Sequence, residues 1–287
     1  MEGWLDQVQV MDSRRFHLSL RRMADGFLYG VDKSPYVGSG LEYMQSRPYH
    51  YGDPVRSIDW RVTARTRRVH VKEYEATKQM PCYLLLDTSA SMTVGVTSHS
   101  KYVLALQIAG GLALACIDRA MPVGLVGVGD RELRHLPSLA RDRVMAWLHN
   151  LRKFRLDEQT QLGPKVGELG SRLGSRALVI VLSDLHDSAA LPALKLLAQQ
   201  RDVAVLQFRD PAERGGLGGA GLMLMREAET GTTFLSRGGK VTIDQERIDR
   251  ELKRGRIDHL IIDTDRPFTH RLRNFFRSRD LLGRGAR

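Results

Sequence analysis

Two cysteines in 287 residues, Cys82 and Cys116, are too few for a disulfide framework or a four-thiolate zinc site. Both read as small buried apolar residues of a chain kept in a reducing compartment. Long hydrophobic runs are also missing. The longest, Tyr102 to Ile117, is broken by Gln107, Gly110 and Gly111 and is shorter than the roughly 20 residues that span a bilayer. Met1 to Phe16 alternates charged and apolar residues and has no signal-peptide core. A cytoplasmic chain without a transmembrane segment is therefore expected. No Gly-x-x-x-x-Gly-Lys-Ser/Thr occurs, so the chain is not expected to be its own P-loop ATPase. The histidines, among them His50, His70, His99 and His186, have no metal-ligand spacing.

What is present is an ordinary globular composition, 42% apolar and 27% charged, which excludes wholesale disorder. The length suits one large domain with an extension. The net charge of +11 is unevenly spread. Arg47 to Lys72 carries seven Lys/Arg against Asp53 and Asp59, and Arg266 to Arg287 carries seven Arg against Asp280; these two segments hold the whole excess. Such patches suit nucleic acid, acidic lipid or an acidic protein, unless they are simply solvated surface.

From Cys82 onward, apolar runs alternate with helical patterns. Cys82–Asp87, Val123–Val128, Ala177–Ser183, Val203–Phe208 and His259–Asp263 read as strands. Lys101–Arg119, Leu139–Arg152, Leu162–Leu173, Ala189–Gln200 and Pro267–Arg277 read as helices. In the last of these, Leu272 and Phe276 read as core, with Phe268 and Phe275. Ala177–Ser183 is apolar without alternation, as in a strand covered on both faces. The fold class expected is α/β: a doubly wound, mostly parallel sheet occupying residues 81–287. Residues 1–80 read as an N-terminal appendage, with a helix over Ser13–Ala24, a turn at Gly52-Asp53-Pro54, an edge strand from Val69 to Tyr74, and Trp60 as a packing anchor.

In open α/β sheets, ligands bind beyond the carboxyl ends of the strands. The first strand ends in Asp87-Thr88-Ser89-Ala90-Ser91, where a carboxylate and two hydroxyls at alternate positions can turn toward one point. Thr160 precedes the helix that begins near Gly163, and Asp184 follows the Ala177–Ser183 strand. Singly, Thr160 reads as a helix N-cap and Asp184 as a turn residue. Jointly, in chain order at the ends of core elements, the five oxygens suit a hard divalent cation such as Mg²⁺.

Asp87-x-Ser89-x-Ser91 with a later Thr160 and Asp184 resembles the metal-ion-dependent adhesion site of von Willebrand factor A domains. The resemblance implies a Rossmann-like fold from about Pro81 to Arg279 and a site for Mg²⁺, Mn²⁺ or Ca²⁺. The chain departs from that family at Glu158-Gln-Thr-Gln161, where Gly-Gly-Thr-Asp is frequent, and Asp187 is an alternative to Asp184. Ahead of it, Tyr49-x-x-Gly52-Asp53-x-x-Arg56-x-Ile58-Asp59-Trp60, Ala64-Arg65 and Val71-Lys72-Glu73 are similar to the signature of the domain-of-unknown-function fifty-eight family. In that family the signature precedes a von Willebrand factor A-like domain, and members are typically bacterial and encoded beside MoxR-type AAA+ ATPases. Many of them have N-terminal membrane helices, which this sequence lacks.

The function these readings suggest is a non-catalytic, metal-dependent protein-binding adaptor. Its partner would offer an acidic side chain and, by the resemblance, would be a MoxR-type AAA+ ATPase or its client in complex assembly or maturation. Asp53, Arg56, Asp59 and Arg65 offer charge pairs that could fasten the appendage; alternatively Arg56, Arg61, Arg65, Arg67 and Arg68 face the acidic partner. His186 is a candidate for the rim of the cation site.

Three rivals stand beside this reading. A metal-dependent phosphoryl-transfer enzyme would use Asp87 as nucleophile, but the second carboxylate usual two residues later is Ser89 here. A nucleic-acid-binding protein would use the basic segments, against which stands an aromatic content of only 7%; no nucleic-acid partner is expected. Dinucleotide binding would use Gly216-Leu-Gly218-Gly-Ala-Gly221, which lacks the strand-to-helix setting and reads as a loop.

Overall fold

The computed structural model describes residues 2–4, 41–76 and 80–279, apart from 94, 96, 98, 156, 175, 212, 214–222, 227–232 and 237–243. The helix expected over Ser13–Ala24, the Gly216–Gly221 loop and the last eight residues of the basic C-terminal segment lie outside these residues. The strands are β1 (Glu2–Trp4), β2 (Leu41–Pro48), β3 (His70–Ala76), β4 (Cys82–Leu86), β5 (Val123–Gly127), β6 (Arg134–Ser138), β7 (Lys153–Arg155), β8 (Leu178–Ser183), β9 (Asp202–Arg209), β10 (Met223–Arg226), β11 (Thr233–Ser236) and β12 (Asp258–Asp263). The α-helices are α1 (Trp60–Thr66), α2 (Ala90–Thr93), α3 (Lys101–Ile117), α4 (Arg141–Asn150), α5 (Leu162–Arg172), α6 (Ala190–Ala198), α7 (Gln245–Arg254) and α8 (Thr269–Ser278). The chain forms two compact units, residues 32–79 and the remainder.

The larger unit is built on a six-stranded sheet of order β12-β9-β8-β4-β5-β6. Five strands are parallel, and β6 closes one edge antiparallel to β5. The apolar runs lack alternation because both faces of the sheet are covered, so successive side chains enter different cores. Leu84 and Leu86 of β4, Ile180 and Leu182 of β8, and Leu206 and Phe208 of β9 pack in a layer with α3, α4 and α8. Leu85, Val179, Val181, Val203 and Val205 pack on the opposite face with α5, α6 and α7. Leu272 and Phe276 are buried as expected, with Phe268 and Phe275 packed against them. Both cysteines are free and buried.

Helix α3 runs directly behind β4 and is buried along almost its whole length. Ser100 starts it, its hydroxyl accepting from the Val103 N–H at 3.3 Å. An all-round apolar sequence is what such a central position requires, and Gly110 and Gly111 are tolerated because packing, not propensity, holds the helix.

In the smaller unit, β2 and β3 form a two-stranded antiparallel sheet. The edge strand expected from Val69 is β3, since each strand of a two-stranded sheet has one free edge. Gly52, at φ +104°, makes the turn that precedes Asp53, a conformation open mainly to glycine. Asp53 then accepts two bonds from the Arg47 guanidinium, at 2.7 and 2.8 Å. Asp59 caps α1, accepting from the Arg61 and Val62 N–H groups at 3.1 and 3.2 Å and from Ser46 Oγ at 2.6 Å. The partner of Asp53 is thus Arg47, not Arg56 or Arg65, and both acids secure their own unit. Trp60 is 68% exposed, which corrects its expected role as an anchor: it is the first residue of α1, and its ring is left on the surface.

Candidate metal centre

Strand β4 is the first of the sheet; β5 adds on one side of it and β8 on the other, so the chain reverses direction of winding at the carboxyl end of β4. Asp87 and Asp184 sit just past β4 and β8, whose ladder pairs Leu86 with Leu182. The Asp87 N–H still donates to Leu182 O at 2.9 Å, which sets the two loops side by side.

The chain turns off β4 by a local bond, Ser89 N–H to Asp87 Oδ1 at 3.1 Å, the turn that aspartate side chains favour. This curl brings the hydroxyls into a row. Ser183 Oγ donates to Asp87 Oδ2 at 2.5 Å, Ser89 Oγ and Ser91 Oγ lie 3.0 Å apart, and Ser91 Oγ donates to Asp184 Oδ2 at 2.9 Å. Leu185 holds the next loop in the left-handed region, at φ +62°, a conformation that costs a branched residue about 1–2 kcal/mol. Its N–H is taken up by Ser183 Oγ at 2.9 Å.

Thr160 lies in the loop between β7 and α5, paired through its backbone to Gly129 in an isolated bridge. Glu158 ties that loop to the Asp87 turn: its buried carboxylate accepts from Thr88 Oγ1 at 2.8 Å and from Arg131 Nε at 2.8 Å, and its carbonyl accepts from the Ala90 N–H at 2.8 Å. Thr160 is not the helix cap; α5 begins after Gln161. Its Oγ1 is buried and has no hydrogen-bond partner. An orphaned buried hydroxyl is costly, and a ligand oxygen awaiting a cation is one physical account of it.

Asp87, Ser89, Ser91 and Asp184 are thus brought together, and Thr160 is held nearby without a bond to them. Asp187, the alternative to Asp184, is committed elsewhere: it accepts from the Gly163 N–H at 2.7 Å at the start of α5 and from the Ala189 N–H at 2.8 Å. Arg56, Arg61, Arg65, Arg67 and Arg68 belong to the smaller unit and are all exposed.

The two aspartates are tuned apart. Burial, then the neighbouring charge of Asp184, pushes the Asp87 carboxyl up to about 7, against the opposing bonds from Ser183 and Ser89. Burial also presses Asp184 upward, but the Lys101 ammonium outweighs it and holds Asp184 below the usual carboxylate range. Lys101 Nζ donates to Asp184 Oδ2 at 2.7 Å and to Glu213 Oε1 at 2.5 Å. His186 completes this side, 3.8 Å from each of the two carboxylates. Ligand atoms of Asp184, His186 and Glu213 all lie within 4.8 Å of one another, a second grouping that could hold a metal ion.

Lys101, Glu213, Ser183 and Glu158 were not anticipated. Lys101 had one legible signal, as a charge at the head of the most apolar helix in the chain. Glu213 had none, because it comes from 112 residues further along the sequence.

A doubly wound, mostly parallel α/β domain with oxygen-bearing loops at its switch point is the class that this fold and site define. The chain belongs to the family described as protein of unknown function DUF58, whose model matches residues 45–258. It is 26% identical over 226 residues to the uncharacterized protein Rv1480 of Mycobacterium tuberculosis and to the uncharacterized protein Mb1516 of Mycobacterium bovis, covering 76% of this chain and 70% of each relative. Among solved structures it is similar to the conserved hypothetical protein BatB from Bacteroides thetaiotaomicron, with a TM-score of 0.46 and 16% identity over 69% of this chain and 98% of that one. No helix among the described residues is long and apolar enough to cross a membrane.

Proposed function

We propose that the chain is a metal-dependent protein-binding adaptor, with Asp87, Ser89, Ser91, Thr160 and Asp184 holding Mg²⁺, or Mn²⁺ or Ca²⁺ in its place. The observation that carries this reading is the run of hydrogen bonds from Asp87 through Ser89 and Ser91 to Asp184 at the switch point, with the orphaned Thr160 hydroxyl in the loop that Glu158 ties to the Asp87 turn. A bound cation would supply an electrophilic position for a carboxylate from another protein. The side chains here bind and orient; none is asked to act as nucleophile or general base. Asp87, with its raised affinity for protons, gains most from a cation, since metal and proton compete for the same charge.

The exposed Arg56, Arg61, Arg65, Arg67 and Arg68 are the proposed second contact, suited to an acidic partner. The resemblance set out above makes a MoxR-type AAA+ ATPase, or its client, the partner to try first. Affinity capture with Mg²⁺ and with EDTA tests the reading, using the wild type and Asp87→Asn, which keeps the shape and removes the charge. The expected outcome is capture of the ATPase that chelation abolishes and that the variant, folded by circular dichroism, loses by roughly tenfold or more. Capture that ignores both EDTA and the substitution would overturn the site assignment.

A further inference from the structure

The centre already holds a cation of its own. Lys101 is 1% exposed and is the first residue of α3. Both facts make the position unfavourable for an ammonium: burial strips its water, and the N-terminal end of a helix carries partial positive charge. Two carboxylates offset this, Asp184 at 2.7 Å and Glu213 at 2.5 Å. Asp184 is contacted through Oδ2, the same oxygen that accepts from Ser91 Oγ at 2.9 Å. The ammonium and the serine row therefore converge on one atom. Glu213 is not a loose surface group; its other oxygen accepts the Asp210 N–H at 3.0 Å.

We infer that Lys101 is a built-in competitor of the divalent cation at Asp184, with Glu213 as the second carboxylate that keeps the ammonium when Asp184 is drawn toward the metal. The inference rests on the metal-binding reading above and assigns its regulation. A fixed positive charge on one of the centre's two aspartates reduces the attraction for a divalent ion, so the centre alone binds metal weakly. An acidic partner adds the missing negative charge, and metal and partner then bind cooperatively, each raising the affinity for the other. The lysine thus keeps the metal affinity of the free chain low, and the partner's carboxylate raises it in the complex.

Titration calorimetry with Mn²⁺ on the full chain, with thermal unfolding in millimolar Mn²⁺ as a second readout, tests this. Lys101→Met is expected to tighten Mn²⁺ binding by roughly tenfold or more, the effect of deleting one charge at hydrogen-bond range. Glu213→Gln is expected to weaken it, because the ammonium is left on Asp184 alone. A purely structural lysine predicts the opposite for the first variant, a loss in both. If Lys101→Met fails to fold with two unpaired carboxylates, the Lys101→Met/Glu213→Gln double variant replaces it and must bind more tightly than Glu213→Gln. Affinity equal to or below that of the lysine-containing parent overturns the inference while leaving the metal centre intact. If neither wild type nor variants take up Mn²⁺ by either readout, the metal-binding reading itself falls, and this inference with it.

Discussion

Asp87 and Asp184 are chemically identical, equally buried and one strand apart, yet their surroundings drive them in opposite directions. The main difference is the Lys101 ammonium, which is hydrogen-bonded to Asp184, with smaller lowering contributions from His186 and Ser91. A contrasting case is Asp53, where exposure is greater and the partner is an arginine. The two bonds from Arg47, then the His50 N–H, lower its carboxyl to about 2. Because the folded-state value lies below that of an unfolded aspartate, its contribution is complete above about pH 4 and is lost as the pH falls toward about 2. Nicking by pepsin within residues 47–59 checks the sign. Asp53→Asn should be cut faster than wild type at the upper end of that window, and the two should converge at its lower end.

At the level of helices and strands, two glycines make opposite predictions. Gly129 follows β5 and pairs with Thr160; a Cβ there would run into the Glu158 carboxylate and the Thr88 hydroxyl that tie two loops of the centre together. Gly129→Ala is expected to destabilise the chain by about 1–3 kcal/mol and to weaken Mn²⁺ binding. Gly167 lies on the exposed face of α5 with nothing near its missing Cβ, so Gly167→Ala should stabilise by about 0.5–1 kcal/mol. Denaturant unfolding of the two variants measures both; a Gly129→Ala chain as stable as wild type or more so would contradict the packing described at Gly129. Two of the elements that escaped sequence reading, α7 and β6, share a cause. Helix α7 is nearly all polar, burying only Ile248 and Leu252, and β6 carries Pro137 on an antiparallel edge where no partner needs its N–H. Both are peripheral, and peripheral elements carry weak apolar patterns.

Across the whole molecule, the positive charge divides into different uses. Arg279, at the end of the basic C-terminal segment that the structure describes, is largely buried, bridges Asp202 and Asp258, and stacks over Phe275. It ties β9 and β12 to α8 and is not available as a free surface charge. Arg56, Arg61, Arg65, Arg67 and Arg68 of the smaller unit are exposed, and they are predicted to act separately from the metal centre. Arg61→Glu/Arg65→Glu should reduce capture of the proposed acidic partner by roughly tenfold and leave Mn²⁺ affinity unchanged. Capture that survives the double reversal removes this patch from the partner surface.

The order of apolar runs was enough to read a doubly wound sheet, because strands covered on both faces need continuous apolar stretches whatever they pack against. Asp87, Ser89 and Ser91 were legible for a similar reason: three oxygens within five residues are joined by a local turn, and a local turn is written in local sequence. Thr160 and Asp184 were placed by position after their elements, and folding put Asp184 in the serine row while leaving the Thr160 hydroxyl without a bond. Lys101 and Glu213 belong to another category. Their meeting depends on α3 passing behind β4 and on a segment 112 residues later returning to the same edge, and no spacing rule encodes a contact that arises only when distant loops close over one another. The cation that sits against Asp184 is therefore a property of the packed chain, where burial makes one charge consequential to its neighbours.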